Sequence, residues 1–125
     1  MSYREIAAEK HASGWNCCQS VLCTCCEKLG LAADQAYHLG AFFGSGARTG
    51  ELCGAVSGAL MALGLAYGDE NNRECGKSAQ LLEKFRSTFG TLRCGELVGT
   101  EKEERRAVCP AFIDWCSDYL EEEFK

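Results

Sequence analysis

Cys53-Gly54-Ala55-Val56-Ser57-Gly58 opens a stretch of small and apolar residues that continues to Gly68. Such a stretch predicts a closely packed helix that carries a thiol at its start. The partial positive charge of a helix N-terminus favours the thiolate form of a cysteine placed there. Because thiolates attack disulfides and bind metals, the segment indicates that cysteine chemistry is the function of this chain.

Helical patterns extend through most of the remaining sequence. Ser2 and Glu5 predict a capping box for a first helix, and Asn16 and Asp34 are N-cap candidates for the next two. We expect helices at about 3–12, 17–29, 35–43, 53–67, 74–89 and 110–124, with shorter helical segments at Cys94–Val98 and 102–108.

The last predicted helix begins at Cys109-Pro110. Proline is favoured at the first helical position, so Cys109 is its predicted N-cap. No segment alternates with the period of two that is typical of strands. We therefore predict an all-α fold, a compact bundle of about five to six helices in a single domain over residues 1–125.

The composition excludes several classes of protein. The 125 residues are 46% hydrophobic and carry a net charge of −5, which argues against nucleic-acid binding because phosphate contacts need a basic face. No apolar run reaches the roughly 18 residues of a membrane span. Residues 1–10 are polar, so we expect no signal peptide and a cytoplasmic location, where cysteines stay reduced.

Four of the ten cysteines lie at predicted helix starts: Cys17, Cys53, Cys94 and Cys109. Four converging thiolates would suit an iron–sulfur cluster or another metal, whereas two would suit a dithiol–disulfide pair. Any single cysteine is more often a small buried hydrophobe, but the set of four favours a functional role.

The other cysteines carry weaker signals. Cys23 and Cys26 have a C-x-x-C spacing on one helix face, but the βαβ context of a thioredoxin motif and the second pair of a zinc site are absent, so they are either core or accessory thiols. Cys75 lies near a helix start, and Cys116 lies inside the last helix, where packing is the default interpretation.

Small residues recur every four positions at Gly50, Gly54, Gly58 and Ala62. Residues four apart share a helix face, so the row predicts close helix packing at Gly58 and Ala62 or a cofactor resting against the helix. Gly54 is expected to leave the neighbouring sulfur accessible. Arg48, the one cation of the glycine-rich loop 44–50, either stabilises a thiolate or an anionic cluster or faces solvent.

Together these features resemble a known family. Asn16-Cys17, the glycine loop leading into Cys53-Gly54-Ala55-Val56-Ser57-Gly58, and then Cys94 and Cys109 resemble the C_GCAxxG_C_C family of putative redox-active proteins, which is related to a domain of split-Soret-type cytochromes. The family is small, helical, and bacterial or archaeal. The assignment of Cys94 and Cys109 rests on order and spacing, with Cys75 and Cys116 as substitutes.

The resemblance implies a redox role through four cysteines. Our leading hypothesis is an electron-transfer protein whose Cys17, Cys53, Cys94 and Cys109 hold an iron–sulfur cluster, with Gly50, Gly54 and Arg48 beside it. The second is thiol–disulfide exchange with Cys53 as nucleophile and Cys17, Cys94 or Cys109 as resolving partner. A third is a metal-binding or structural module with cysteines in its core. We expect an unidentified redox partner protein, and the glycine face leaves a homodimer open.

Overall fold

The computed structural model describes residues 1–69, 76–99 and 102–125, excluding the side chains of 102–106. These residues form seven α-helices and one π turn, which are α1 (Tyr3–Ala12), α2 (Cys17–Cys23), α3 (Ala33–Gly40), the π turn (Gly46–Gly50), α4 (Gly54–Tyr67), α5 (Lys77–Phe89), α6 (Cys94–Val98) and α7 (Lys102–Glu123). Within the described ranges, the only β-type pairing is one antiparallel bridge between Leu52 and Arg93. The all-α prediction is therefore confirmed, with slightly more helices than expected.

Reciprocal capping boxes begin the first two helices. At α1 the Glu5 N–H donates to Ser2 Oγ and the Ser2 N–H donates to Glu5 Oε1, both at 3.1 Å. At α2 the Gln19 N–H donates to Asn16 Oδ1 and the Asn16 N–H donates to Gln19 Oε1, both at 2.8 Å. These boxes satisfy backbone donors that the first helical turn leaves open, and they fix Cys17 as the first residue of α2.

The second helix is shorter than predicted, because it ends at Cys23 and not near residue 29. Thr24 Oγ1 donates to the Val21 carbonyl at 2.7 Å, and the Thr24 N–H bonds the same carbonyl at 3.2 Å. These local bonds compete with the α-helical pattern, and the chain continues in turns to Gly30, whose φ is +90°.

Two further helix boundaries differ from prediction. Helix α3 has Ala32 as its N-cap and ends at Gly40, so Asp34 lies in its first turn and is not the cap. Helix α5 begins at Lys77 after Gly76, whose φ of +79° sets the entry of the chain. Residues 74 and 75 of the predicted helix, including Cys75, lie outside the described residues.

Helix α7 runs through Pro110, so the prediction that Cys109 caps a separate helix is wrong. Val108 and Cys109 pack against the core, and the next turns bury Phe112 and Ile113. This burial on both sides of the proline holds one continuous helix, although proline removes a helical hydrogen bond.

Helices α2 and α4 pack most closely in the centre of the molecule. A Cβ at Gly58 would lie 2.6 Å from the Cys18 carbonyl oxygen and 3.2 Å from Val21 Cβ, so only glycine allows this approach. Ala62 is fully buried on the same helix. The expected close packing at Gly58 and Ala62 is thus confirmed. No described helix has the length and apolar character needed to cross a membrane.

Candidate functional site

The starts of α4 and α6 are joined by the short antiparallel bridge. The Cys53 N–H donates to the Leu92 carbonyl at 2.9 Å, and the Cys94 N–H donates to the Glu51 carbonyl at 2.6 Å. Cys53 is the N-cap of α4, and Cys94 is the first residue of α6. The bridge therefore places two cysteines side by side at two helix starts. Their positions in the sequence alone could not have predicted this arrangement.

The start of α2 packs against the start of α4 at Gly54. A Cβ built on Gly54 would overlap the Cys17 sulfur and would lie 2.8 Å from the Phe43 carbonyl oxygen. The missing side chain of Gly54 therefore makes room for the thiol of Cys17, the residue next to Cys53 in space. Cys53 is only 4% exposed, so the expectation that Gly54 leaves its sulfur accessible to solvent is wrong.

The glycine-rich loop lies over these thiols in a left-handed conformation. Ser45, Gly46, Ala47 and Arg48 have φ values of 54°, 63°, 58° and 63°. A Cβ on Gly46 would lie 2.7 Å from Cys94 Cβ and 2.6 Å from the Glu51 nitrogen. Non-glycine residues in this region cost about 1–2 kcal/mol each, so the close packing of the loop on the site has to offset that strain.

Cys116 is the fourth thiol beside this site. It is fully buried on α7, and the thiols of Cys53 and Cys17 help to raise its pKa, after burial itself. The sequence offered a signal for it, since Phe112, Cys116 and Leu120 recur at the helical spacing of a buried face. Cys116, expected only as a substitute, therefore lies near Cys17 and Cys53.

Cys109 lies on the same helix as Cys116. It precedes Cys116 by two turns, which is roughly 10 Å along a helix axis. Its side chain is half-buried and packs against the core. Of the four cysteines expected at the site, the described contacts bring Cys17, Cys53 and Cys94 together.

Burial governs the protonation of Cys53. It raises the pKa of this thiol to about 12, although the backbone N–H groups of Val56 and Ala55 act in the opposite direction. The neighbouring thiols of Cys17 and Cys94 raise it further. The expectation that the helix start favours the Cys53 thiolate is therefore wrong, because desolvation outweighs the helix N-terminus at a side chain that is 4% exposed.

Cys17 has more backbone donors around its sulfur. Burial raises the pKa of the Cys17 thiol, and the N–H groups of Ser45, Cys18 and Ala55 oppose that rise. At 9% exposed, Cys17 is also more accessible than Cys53. Both cysteines are thiols in this structure, not a disulfide.

Arg48 and Gly50 do not line the thiols. The Arg48 guanidinium carbon lies 5.3 Å from the centroid of the exposed Phe42 ring, and Arg48 is itself exposed. Gly50, with φ +76°, ends the π turn and faces Gly95, whose Cβ would lie 3.3 Å from the Gly50 carbonyl oxygen. The contacts of Gly50 are therefore packing contacts with α6.

The thiols do not fit a metal or an iron–sulfur cluster as they are arranged. Among the described residues, no group of three or more His, Cys, Asp or Glu side chains could hold a metal ion. Four cysteine thiolates around one cluster is the usual ligand set, and it would require these side chains to rearrange. The geometry instead presents a pair, Cys17 and Cys53, with Cys94 and Cys116 beside it.

Comparison with known protein families identifies the family of the chain. The family model C_GCAxxG_C_C, described as a putative redox-active protein, matches residues 15–123. No curated protein and no solved structure shows significant similarity to the chain. The matched range contains the capping box of α2, the Cys53–Gly58 motif and the buried thiols of the site. The chain therefore belongs to the C_GCAxxG_C_C family of putative redox-active proteins.

Proposed function

We propose that Cys17 and Cys53 form a reversible dithiol–disulfide pair through which the protein exchanges two electrons with a redox partner. The observation that carries this proposal is the Cys17 sulfur seated on Gly54, the residue that follows Cys53. A Cβ at Gly54 would meet the Cys17 sulfur before any other atom, so the glycine brings this thiol next to Cys53.

The exchange converts two thiols into one disulfide. Cys17 attacks one sulfur of a partner disulfide, and the other sulfur leaves as a thiolate that takes up a proton. Cys53 then loses its proton and attacks Cys17 Sγ, which forms the Cys17–Cys53 bond and releases the partner's second thiol. Two electrons and two protons pass to the partner, and the reverse sequence restores the thiols.

Cys17 takes the nucleophilic role that we expected for Cys53. Burial raises the pKa of both thiols, but the N–H groups of Ser45, Cys18 and Ala55 oppose the rise at Cys17, whereas the pKa of Cys53 reaches about 12. The thiolate is the attacking species in exchange. The more exposed and more easily ionised sulfur of the pair is therefore the first to react.

The site is covered, so a partner has to displace part of the loop. Phe43 and Ser45 lie against Gly54 and Cys17, and Gly46 lies against Cys94. We expect exchange to be slow with small reagents and faster with a partner protein that opens this loop. A cytoplasmic location would supply such a partner and keep the thiols reduced.

An iron–sulfur cluster is the second candidate, because Cys94 and Cys116 lie near Cys17 and Cys53, although these four side chains would have to rearrange to hold one. The first measurement is iron and acid-labile sulfide, with a visible spectrum, on protein purified without oxygen. Stoichiometric iron and sulfide would refute the dithiol proposal. Absence of both after reconstitution would support it.

The dithiol proposal is tested by equilibrating the protein anaerobically with oxidised and reduced dithiothreitol and counting thiols by alkylation and mass spectrometry. We expect a two-electron couple that peptide masses assign to Cys17 and Cys53, and we expect this couple to be lost in Cys17→Ser and in Cys53→Ser. Cys18→Ser, which changes the buried thiol next to Cys17, is the matched control and should retain the couple. If Cys53→Ser left this couple unchanged, the proposed pair would be wrong; if no couple formed and the serine variants altered only stability, the cysteines would be structural.

A further inference from the structure

A second pair of thiols lies at the other end of α2. Cys23 is the last residue of that helix, and Cys26 follows three residues later in the first turn beyond it. The Cys26 N–H bonds the Leu22 carbonyl at 3.1 Å, which continues one helical turn through this point. Residues three apart in such a turn lie on one face, so both sulfurs project the same way.

The two side chains are in contact. Cys26 Sγ lies 3.9 Å from the Cys23 carbonyl oxygen, and its thiol is a hydrogen-bond partner of the Cys23 thiol. Cα atoms three residues apart in a helical turn are separated by about 5–6 Å, within the range that a disulfide spans. Joining the two sulfurs therefore needs rotation of side chains and little movement of the backbone.

The pair is asymmetric in exposure. Cys23 is half-buried, whereas Cys26 is fully buried. Lys10 lies close enough to Cys23 to favour its thiolate, although Glu27 and above all burial act against it. The Cys23 thiol can therefore attack a reagent, and the Cys26 thiol is shielded behind it. This is the arrangement of an attacking and a resolving cysteine.

Cys25 does not belong to this pair. Its side chain is 2% exposed, and its thiol has Thr24 as its hydrogen-bond partner. No group of three ligands at this end of α2, or elsewhere in the described chain, could hold a metal ion. The contacts thus single out Cys23 and Cys26 among the clustered thiols and favour disulfide chemistry over metal binding.

From this contact between a half-buried and a buried thiol, we propose that Cys23 and Cys26 form a second, independent redox site that reacts with low-molecular-weight disulfides. Cys23 attacks one sulfur of the disulfide, and the released thiolate takes up a proton. Cys26 then loses its proton and attacks Cys23 Sγ, which forms the Cys23–Cys26 bond and releases the second small thiol. The small disulfide is reduced to two thiols as the pair is oxidised.

This site is separate from the Cys17–Cys53 pair. Cys17 and Cys23 are the first and last residues of α2, six positions or about 9 Å apart along its axis. Unlike Cys53, which is 4% exposed, Cys23 needs no displacement of the loop 44–50 to be reached. The two sites are therefore expected to be oxidised independently.

The probe is glutathione, applied anaerobically to the reduced full chain as a series of disulfide-to-thiol ratios. Thiols are then blocked, and tandem mass spectrometry of the peptide 11–28 assigns each cysteine. We expect a Cys23–Cys26 disulfide in the wild type. Cys26→Ser should trap one glutathione on Cys23, since the resolving thiol is gone, whereas Cys23→Ser should leave Cys26 unmodified.

Cys25→Ser is the matched control and should form the disulfide as the wild type does. Cys53→Ser should also form it, which separates this proposal from the first site. The proposal is overturned if Cys23 and Cys26 remain thiols at every ratio, if Cys23 pairs with Cys25, or if Cys26→Ser traps no glutathione. Circular dichroism verifies that each variant is folded, and Cys26→Ala replaces Cys26→Ser if the buried hydroxyl unfolds the protein.

Discussion

The close contact between the Cys17 sulfur and Gly54 can be tested by adding a single methyl group at Gly54. In Gly54→Ala the new Cβ would overlap that sulfur and lie 2.8 Å from the Phe43 carbonyl oxygen. Carbon atoms in ordinary contact are about 3.5–4.0 Å apart, so the sulfur has to leave its position. Overpacking of this kind lowers the free energy of unfolding by about 1–3 kcal/mol. Alanine offsets about 0.4–1 kcal/mol of this loss because it restricts the unfolded chain.

The same helix offers a matched control in Gly64. A Cβ at Gly64 would meet nothing within 4 Å. Gly64→Ala therefore gains the higher helix propensity of alanine without a steric clash. We therefore expect Gly54→Ala to be destabilised by about 1–2 kcal/mol and Gly64→Ala to be stabilised by up to about 1 kcal/mol. The two variants should differ by about 2 kcal/mol, or about 1 M in the urea midpoint.

The assay is urea unfolding followed by circular dichroism, with excess reductant so that no disulfide contributes. A double-mutant cycle then isolates the contact, because Cys17→Ala removes the sulfur that the new methyl displaces. Part of the loss in Gly54→Ala should be recovered in the double variant. Additive effects in the cycle, or equal stabilities for Gly54→Ala and Gly64→Ala, would refute the placement of Cys17 on Gly54.

Three further measurements address other parts of the molecule. Pro110→Ala should raise the free energy of unfolding by about 1–3 kcal/mol because the residue lies inside α7; a neutral or destabilising effect would indicate that a helix starts at Pro110. Ser117→Ala should stabilise by about 1 kcal/mol, since the buried Ser117 hydroxyl has no hydrogen-bond partner within the described part of the chain; a loss of stability in urea would point to a bound water. Burial raises the pKa of Cys18 to about 12, so between about pH 9 and pH 12 the unfolded state binds fewer protons than the folded state. Stability under reducing conditions should therefore fall as pH rises through that window, by about 1.4 kcal/mol per pH unit for each such thiol, and Cys18→Ala should make the fall less steep; an unchanged slope would contradict the burial of this thiol.

Much of the helical framework was predictable because its signals are local. Ser2 with Glu5, and Asn16 as an N-cap, act within a few residues of the helices that they begin. Gly68 ends α4 as its position predicts. The Pro110 signal failed because packing of Val108 and Cys109 against the core, a tertiary effect, extended the helix upstream of the proline.

The helical class, the thiols at the starts of α2, α4 and α6, and the family of the chain follow from local sequence signals. Which thiols lie together depends on contacts between distant segments. The bridge between Leu52 and Arg93 aligns Cys53 with Cys94, and Gly54 admits the Cys17 sulfur.

Tertiary packing also reversed the expected chemistry of Cys53. A helix start favours the thiolate, but the chain closes over the site and desolvation raises the pKa of that thiol to about 12. The physical reason is range: caps and helix periodicity act between neighbours in sequence, whereas contact between cysteines and exclusion of water depend on segments brought together from across the chain.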